Sequence, residues 1–183
     1  LDGITPPAEN LRKTLKLRLT NMSGVYSGFP YPISQAAGEV KVNLNTGRID
    51  LKNIHTPGKR IRLDGSIAPE NNRLVADIDI KAKAIKLDKK LRDAMPDEIK
   101  SVWKDIKLGG TASGNVRLYL DGKKGGKPEI RYDIFLRPEN AKMEAGFPFT
   151  NLKGKVTLRG KVTPEGRNSI EYGLIQLSEH KVN

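Results

Sequence analysis

The sequence predicts a mainly β protein, an antiparallel meander of about eight or nine one-sided strands with one helical insertion near residues 88–108. Apolar and polar residues alternate along most of the chain, turn-forming residues separate the alternating runs, and one segment changes to helical spacing. Successive side chains of a strand point to opposite faces, so the alternation predicts one buried and one solvated face. We expect a sheet that is bent into a groove or packed as a sandwich.

The alternating runs follow one another along the chain, and many of their polar positions are basic, as at Lys16 and Arg18. The apolar positions are, in chain order, Leu15, Leu17, Leu19, Val40, Val42, Leu44, Ile49, Leu51, Ile61, Leu63, Ala76, Ile78, Ile80, Ala82, Ala84, Val116, Leu118, Leu120, Ile130, Tyr132, Ile134, Leu136, Val156, Leu158, Ile170, Tyr172 and Leu174. A sheet built from these runs has one apolar face and one face that is largely basic.

Turn-forming residues stand between the runs. Asn45-Thr46-Gly47, Asp121-Gly122 and Thr163-Pro164-Glu165-Gly166 predict hairpin loops, because Asn, Asp and Gly accept the backbone conformations of tight turns. His55-Thr56-Pro57-Gly58 and Pro69-Glu70-Asn71-Asn72 predict turns through their Pro and Asn residues. Such short connections favour a meander.

One segment departs from the strand period. Asp88 is suited to cap the start of a short helix, and Pro96 is suited to begin a second one, because its fixed φ matches the first helical turn. The apolar residues at helical spacing are Leu91, Ala94, Met95, Ile99, Val102, Trp103 and Ile106. An apolar stripe of this kind normally faces a core, so we expect Met95 and Trp103 to pack against the sheet.

The bulk composition restricts the class of protein. The 183 residues suffice for one domain with a core or for two small domains, and only 37% are hydrophobic. No apolar run approaches the roughly 20 residues that span a bilayer. The chain lacks cysteine, which excludes disulfides, thiolate nucleophiles and Cys-based zinc sites. The net charge of +12 favours polyanionic partners such as nucleic acid, anionic membranes or acidic glycolipids.

The sequence has no recognisable catalytic constellation, and we expect a protein that is not an enzyme, with no catalytic residue, metal site or cofactor. His55 and His180 stand far apart and are expected to be ordinary surface residues. Asp77 and Asp79 share a strand face that continues with lysines, which indicates a solvated stripe. The glycine-rich basic segment 122–127 lacks the spacing of a phosphate-binding loop and is expected to be a hairpin tip.

One segment of the chain is repeated: residues 31–40 match residues 147–156, which lie 116 positions further along. The shared pattern is aromatic, Pro, apolar, hydroxyl, amide, apolar, any residue, Gly, charged and Val. It predicts a corner between strands, since Pro ends ladder pairing and Gly permits the conformation from which the next strand leaves. The defining residues of this corner motif are Tyr31, Pro32, Gly38, Phe147, Pro148 and Gly154.

The repeat leads to two structural predictions. Gly38 and Gly154 should adopt corresponding backbone conformations, and the aromatic residue of each copy should be buried against the sheet. Repeated sheet units indicate an array in which each unit buries its face with its neighbours. We therefore expect a first unit over residues 1–140 and the start of a second over residues 141–183, which can pack as one continuous domain.

The corner motif and a second stretch resemble the AsmA-like and TamB-like group of bacterial envelope proteins. The second stretch comprises 91–96, Trp103 and 110–118, and is similar to a helix, a Trp and a Gly-led return to strand in such repeats. The resemblance covers about a fifth of the chain. It implies a long half-pipe of β-sheet, apolar inside and polar outside, along which lipid acyl chains move between membranes.

The resemblance also implies a place in the bacterial periplasm or cell envelope, in a membrane-anchored protein of outer membrane biogenesis. The chain begins Leu1-Asp2-Gly3, with neither an initiator Met nor a signal-like opening, so we expect a fragment or a processing product of a longer protein. Expected partners are lipids or an anionic membrane surface, together with neighbouring repeats of the same longer chain.

The expected function is to shield or conduct lipid acyl chains in an apolar β-groove. The residues expected to line it are Leu15, Leu17, Leu19, Val40, Val42, Leu44, Ile78, Ile80, Val116, Leu118, Leu120, Val156 and Leu158. A purely structural or adhesive β-sandwich remains open, because a filled core uses the same residues. A nucleic-acid-binding module fits the charge, but Phe135 and Tyr119 are too few aromatics for base stacking, so nucleic acid is disfavoured.

Overall fold

The structure is a computed structural model, which describes residues 13–26, 29–95, 100, 103–105, 107–123, 125–144 and 146–182. Side chains are described for these residues apart from 26, 29, 30 and 177–182. The described chain forms one nine-stranded antiparallel sheet that is not closed, and 74% of the residues are in strands. The predicted mainly β meander with a small helical insertion is therefore confirmed.

Each strand pairs with its neighbours in sequence, so the order in the sheet is the order in the chain. The strands are β1 (Thr14–Tyr26), β2 (Phe29–Asn43), β3 (Ile49–His55), β4 (Ile61–Glu70), β5 (Arg73–Lys86), β6 (Gly109–Lys123), β7 (Glu129–Glu144), β8 (Pro148–Val162) and β9 (Asn168–Val182). A 3-10 turn over Pro57–Lys59 joins β3 to β4, and helix α1 (Lys89–Ala94) follows β5.

The strand register brings apolar residues from all nine strands onto one side of the sheet. Directly paired residues of neighbouring strands point to the same side, so rows can be followed from edge to edge. The apolar face is the side that contains the row Leu17, Val40, Leu51, Gly65, Ile78, Leu118, Tyr132, Gly160 and Ile170. The polar face is the side that contains the row Asp64, Asp79, Arg117, Asp133 and Arg159.

The helical insertion packs on the apolar face at one end of the strands. Asp88 caps α1 as predicted, because its Oδ1 accepts a hydrogen bond from the Leu91 backbone N–H at 3.1 Å. Trp103 is buried, and its Nε1 donates to the Leu108 carbonyl oxygen at 2.7 Å. The end cluster formed here has Leu87, Leu91, Trp103, Ala112, Ala141 and Leu152 as buried members, with Tyr31, Ile85, Met95, Leu108, Met143 and Phe149 packed against them.

The predicted packing of Met95 and Trp103 against the sheet is confirmed by their place in the end cluster. The cluster combines residues of the insertion with residues of β2, β5, β6, β7 and β8. The predicted second helix starting at Pro96, with Ile99, Val102 and Ile106 in its stripe, lies largely outside the described residues.

The sheet is bent toward its apolar face. Helix α1 follows β5 in the chain but packs against β2, three strands away from β5. The end cluster likewise combines Tyr31 of β2 with Leu152 of β8. Strands lie about 4.8 Å apart, so a flat sheet would separate β2 from β8 by about 29 Å, more than two helices side by side would span. The apolar face is therefore concave, and the polar face is convex.

A line of β-bulges crosses the strands near the end cluster. Register shifts interrupt the pairing at residues with positive φ, which are Asn21 in β1, Gln35 in β2, Asn53 in β3, Ala84 in β5, Asn140 in β7 and Asn151 in β8. Asn predominates because it tolerates the left-handed backbone region better than most residues. A bulge bends its strand and increases the local twist, so this line marks where the sheet curls around the insertion.

The two copies of the corner motif have corresponding backbones, as predicted. Gly38 and Gly154 have φ values of 157° and 153°, and Gln35 and Asn151 have values of 54° and 53°. The apolar residue that follows the amide is 1% exposed in the first copy and 2% exposed in the second. The predicted boundary after residue 140 falls inside β7, which pairs with β8, so the second copy continues the same sheet.

The aromatic residues of the motif differ between the copies. Tyr31 packs against the end cluster, where burial and then the charge of Asp88 raise its pKa. Phe147 is 66% exposed, so the prediction that both aromatics are buried was wrong. Phe147 lies in the bend before β8, outside the paired strands, and Phe149 packs against the end cluster in its place.

The prediction of a turn at Asp121-Gly122 was also wrong. Both residues lie within β6, and the chain reverses only after Lys123. A glycine is required at position 122 for another reason, since a Cβ there would lie 2.7 Å from Pro128 Cα. The missing side chain allows the segment that leads into β7 to lie directly against β6.

The other hairpins are close to their predicted positions. The predicted turn at residues 45–47 is present, and so is the one at residues 163–166, where the Gly166 N–H donates to the Thr163 carbonyl oxygen at 2.8 Å. The turn predicted over residues 69–72 is shorter, because β4 extends to Glu70. Asn71–Asn72 alone reverse the chain, both with positive φ, as a two-residue type I′ hairpin requires.

Replacing Gly38 with Ala should lower the free energy of unfolding by about 1–3 kcal/mol. The added Cβ would lie 2.7 Å from Ile54 Cα on the neighbouring strand, and the φ of 157° is unfavourable for a side chain. Gly24→Ala is the matched control, since its Cβ would meet nothing within 4 Å, and it should be neutral or slightly stabilising. Urea unfolding of both variants tests this, and equal stabilities would contradict the proposed close approach.

Candidate functional site

The register places the predicted lining residues together on the apolar face, with one exception. Those on the face are Leu15, Leu17, Leu19, Val40, Val42, Ile78, Ile80, Val116, Leu118, Leu120, Val156 and Leu158. The assignment of Leu44 to the lining was wrong, because it lies in the turn after β2 and is 58% exposed. Asn43 starts this turn, as its Oδ1 accepts hydrogen bonds from the backbone N–H groups of Asn45 and Thr46.

Further residues of the same runs complete the apolar face, although the sequence did not assign them to the lining. By register they are Ile49, Leu51, Ile54, Ile61, Leu63, Ile67, Leu74, Ala76, Ala82, Ile130, Tyr132, Ile134, Leu136, Val162, Ile170 and Ile175. The alternation within each run could have assigned these residues to the apolar face, since residues two apart on a strand point to the same side. Between the bulges and the far hairpin turns, none of the described paired positions on this face has a charged side chain.

Protein covers the apolar face mainly at the end where the insertion packs. Within the described residues, the extensive contacts between elements join neighbouring strands, apart from the contact of α1 with β2. Outside α1 and the end cluster, the buried hydrophobic positions of the described chain are the small residues Ala36 and Ala76. Leu15, Leu17 and Leu74 on this face are 44%, 43% and 50% exposed. The concave face is thus an apolar trough with the end cluster at one end.

The convex polar face is covered with ion pairs. Arg117 donates two hydrogen bonds to Asp77, at 3.1 and 2.7 Å, and this pairing lowers the pKa of the Asp77 carboxyl group. The backbone N–H of Asn53 likewise lowers the pKa of Asp64. These side chains are exposed, so each pair contributes little to stability. Their arrangement is that of a solvated outer surface.

The two aromatic side chains predicted as candidates for base stacking are both covered by arginines. The Arg131 guanidinium lies 4.4 Å from the centre of the Tyr119 ring, and that of Arg137 lies 5.2 Å from the Phe135 ring. Tyr119 and Arg131 are direct cross-strand partners on the polar face. A nucleobase would have to displace these arginines in order to stack.

Basic residues are concentrated on the convex side near the loop between β3 and β4. The cationic patch comprises Lys59, Arg60, Arg62, Lys81 and Lys83, all of which are exposed. Lys81 is the cross-strand partner of Arg62, and the Lys83 backbone N–H donates to the Arg60 carbonyl oxygen at 2.7 Å. Asp64 contacts the patch through Arg62, whose Nε lies 2.9 Å from its Oδ2. The patch combines five positive side chains at one end of β4 and β5, which are central strands of the sheet.

The described residues contain no group of three or more His, Cys, Asp or Glu side chains that could hold a metal ion. The half-buried His55 lies at the end of β3, with its Nδ1 2.8 Å from the Asn53 carbonyl oxygen. The side chain of His180 lies outside the described residues. No helix in the described part of the chain is long and apolar enough to span a membrane.

Comparisons of the chain with protein-family models, with curated proteins and with solved structures found no match.

Proposed function

We propose that this chain shields lipid acyl chains along its concave apolar face, as a segment of an AsmA-like protein of the bacterial cell envelope. The observation that supports the proposal most directly is the continuity of the apolar trough. It crosses nine strands by register, contains no charged side chain at its described paired positions, and is packed by protein mainly at one end. Such a surface is suited to hydrocarbon.

The energetics of burial make this function possible without any chemistry. Each CH₂ group moved from water into an apolar site gains about 0.8 kcal/mol, so ten such groups gain about 8 kcal/mol. The aliphatic rows around Ile78 and Leu118 offer contacts along several strands. Neither a catalytic residue nor a polar anchor is needed to hold an acyl chain there.

The single-layer architecture favours this function over a structural or adhesive sandwich. A sandwich fills its core by packing two apolar faces about 10 Å apart. The strands described here belong to one sheet, and their extensive contacts are with sequence neighbours. Large lining residues such as Leu17 and Leu74 accordingly remain 43% and 50% exposed instead of interlocked with a second layer.

The nucleic-acid alternative has less support. Acidic side chains such as Asp77 and Asp133 neutralise arginines on the convex face, and the aromatic rings beside them are covered by Arg131 and Arg137. Single-strand binders use such rings as exposed stacking platforms. The cationic patch is better suited to the phosphate groups of an anionic membrane, since lipid is also the ligand proposed for the opposite face.

Mass spectrometry of the purified chain after organic extraction tests the proposal. We expect acyl lipids to co-purify with the chain, and a fluorescent fatty acid to bind after delipidation. A correctly folded, delipidated chain that binds no fluorescent fatty acid would contradict the proposed function.

The cationic patch provides a separate prediction about the membrane surface. Replacing Arg60, Lys81 and Lys83 with Gln should weaken binding to phosphatidylglycerol vesicles about a hundredfold at low salt, since each basic residue near an anionic surface contributes about 1 kcal/mol. The fold should be unaffected, because all three side chains are exposed. Vesicle co-sedimentation across a salt series measures the effect.

The matched control removes the same charge at the opposite end of the strands. Lys13, Lys123 and Lys127 are also exposed, and their replacement with Gln should reduce binding far less. Equal losses for the two triple variants would show that net charge, and not the cationic patch, determines membrane binding. Tight, salt-sensitive binding of single-stranded DNA by the unmodified chain would favour the nucleic-acid alternative instead.

A further inference from the structure

The equivalence between the two corner motifs extends from β2 and β8 to the strands that follow them. In the first copy Val40 pairs with Leu51 of β3, and in the second the corresponding Val156 pairs with Ile175 of β9. Two residues further along, Val42 pairs with Ile49 of β3, and the corresponding Leu158 pairs with Gly173 of β9. The two strand pairs therefore have the same register. Strand β9 is therefore the structural equivalent of β3.

The two equivalent strands differ in what lies on their other side. The far edge of β3 pairs with β4, where Leu51 faces Gly65 and Ile54 faces Leu63. The far edge of β9 pairs with no strand in the described part of the chain. As a result Ile175 is 66% exposed, whereas the equivalent Leu51 is half-buried.

Residues 168–176, the first nine residues of β9, also lack most of the features that protect a free edge, whereas Glu179 and Lys181 lie further along the strand. Its exposed large side chains lie on both faces of the sheet, because Ile170 and Ile175 belong to the apolar face, whereas Tyr172 and Leu174 belong to the polar face. Within 168–176 the sequence has one charged residue and no proline. Natural edge strands usually avoid pairing through lysines, prolines or inward charges.

The opposite edge of the sheet has a different composition. Strand β1 also exposes Leu15 and Leu17, but Lys16 and Arg18 alternate with them. The two free edges are not equivalent, because their counterparts in the repeat have different partners. Strand β1 corresponds to β7, whose far edge pairs with β6, whereas β9 corresponds to β3, whose far edge pairs with β4.

We propose that the outer edge of β9 binds an antiparallel strand of β4 type, in the register by which β4 pairs with β3. The partner is an extended segment with alternating apolar residues, whose apolar side continues the concave face and whose residue equivalent to Gly65 faces Ile175. Main-chain hydrogen bonds hold it, as in other cases of strand addition, and its side chains cover Ile175. This inference does not depend on lipid binding, since it follows from the register alone.

Disulfide trapping tests the proposal, because the chain has no cysteine of its own. The Ile175→Cys variant is incubated with a synthetic peptide of the β4 sequence, Ile61–Glu70, in which Gly65 is replaced by Cys. Oxidised glutathione is added to accept the two electrons that two thiols release when they form a disulfide. Directly opposed residues of antiparallel strands have the separation that a disulfide requires. We expect this peptide to be trapped about tenfold faster than one with Cys at the next position, since a slip of one residue moves the thiol to the other face.

Two controls make the result decisive. A scrambled peptide with the same Cys should be trapped slowly, and so should the in-register peptide on a Leu17→Cys variant at the β1 edge. Equal trapping of all peptides, or equal trapping at both edges, would overturn the proposal. Faster cross-linking of the Ile175→Cys chain to itself than to the in-register peptide would also overturn it, because the occupant would then be a second copy of β9. None of these outcomes would alter the fatty-acid binding measured separately.

Discussion

Replacing both Val42 and Leu118 with Asp should abolish the proposed binding of fatty acid while the chain stays folded. The two residues lie on separate strands of the apolar face, and both are half-buried by their neighbours in one sheet. In a trough open to water the carboxylates remain solvated, so the fold tolerates them. An acyl chain in the trough would have to desolvate them, which should weaken its binding by at least about a hundredfold. Fluorescent fatty-acid titration and a thermal melt measure the two effects.

The control adds the same charge to the convex side. Asn115 and Thr157 lie on the polar face, and their joint replacement with Asp should leave fatty-acid binding unchanged. Unfolding of the Val42→Asp and Leu118→Asp double variant would contradict the open trough, because an ionised group is that costly only in a closed core. A folded double variant that still binds fatty acid with the affinity of the wild type would show that the fatty acid binds outside the trough.

The largest loss of stability is expected from Trp103→Ala, which should lower the free energy of unfolding by about 3–5 kcal/mol. Trp103 is 8% exposed, and it is the one large aromatic among the buried members of the end cluster in the described chain. Its removal leaves a cavity and also removes the hydrogen bond from Nε1 to the Leu108 carbonyl oxygen. Urea unfolding followed by circular dichroism, which does not rely on this tryptophan as a fluorophore, measures the change.

Two further variants define what Trp103 contributes. Trp103→Phe keeps part of the packing but loses the hydrogen bond, so its stability should fall between those of the wild type and Trp103→Ala. Leu44→Ala removes an apolar side chain that is 58% exposed in a turn, and should change stability by less than about 0.5 kcal/mol. A Trp103→Ala variant as stable as Leu44→Ala would show that the insertion does not stabilise the bent sheet.

The strands and the composition of the apolar face could be predicted from the sequence because their signal is local. Alternation over a few residues determines which side chains share a side, and this parity holds wherever the strand pairs. The apolar-face residues on β1, β2, β5, β6 and β8 were predicted in this way, and so was the cap at Asp88. Leu44 was assigned wrongly because its alternation continues past the point where the side chain of Asn43 starts the turn.

The bulges could not be predicted from the same pattern. Asn53, Asn140 and Asn151 are polar residues within alternating runs, and a polar residue is expected there whether or not the backbone is extended. Gly122 illustrates the converse, since glycine after Asp usually indicates a turn, but here it permits a close approach by Pro128. The bulges result from a change in strand register, and the need for Gly122 results from its contact with Pro128 in the segment that leads into β7. Neither cause is visible in the residues next to these positions.

By itself the sequence determined the strands, their order, the repeated corner motif and the sidedness of the strands apart from β9. The prediction that Tyr172 and Leu174 share a face with Ile170 was wrong, because a register shift after Ile170 places them on the polar face. The tertiary structure alone decided that the sheet stays open, how strongly it bends, and that α1 reaches β2. It also showed that Phe149, and not Phe147, packs against the end cluster. The physical reason is that sidedness depends on residues two apart, whereas curvature and openness depend on contacts between strands far apart in the chain.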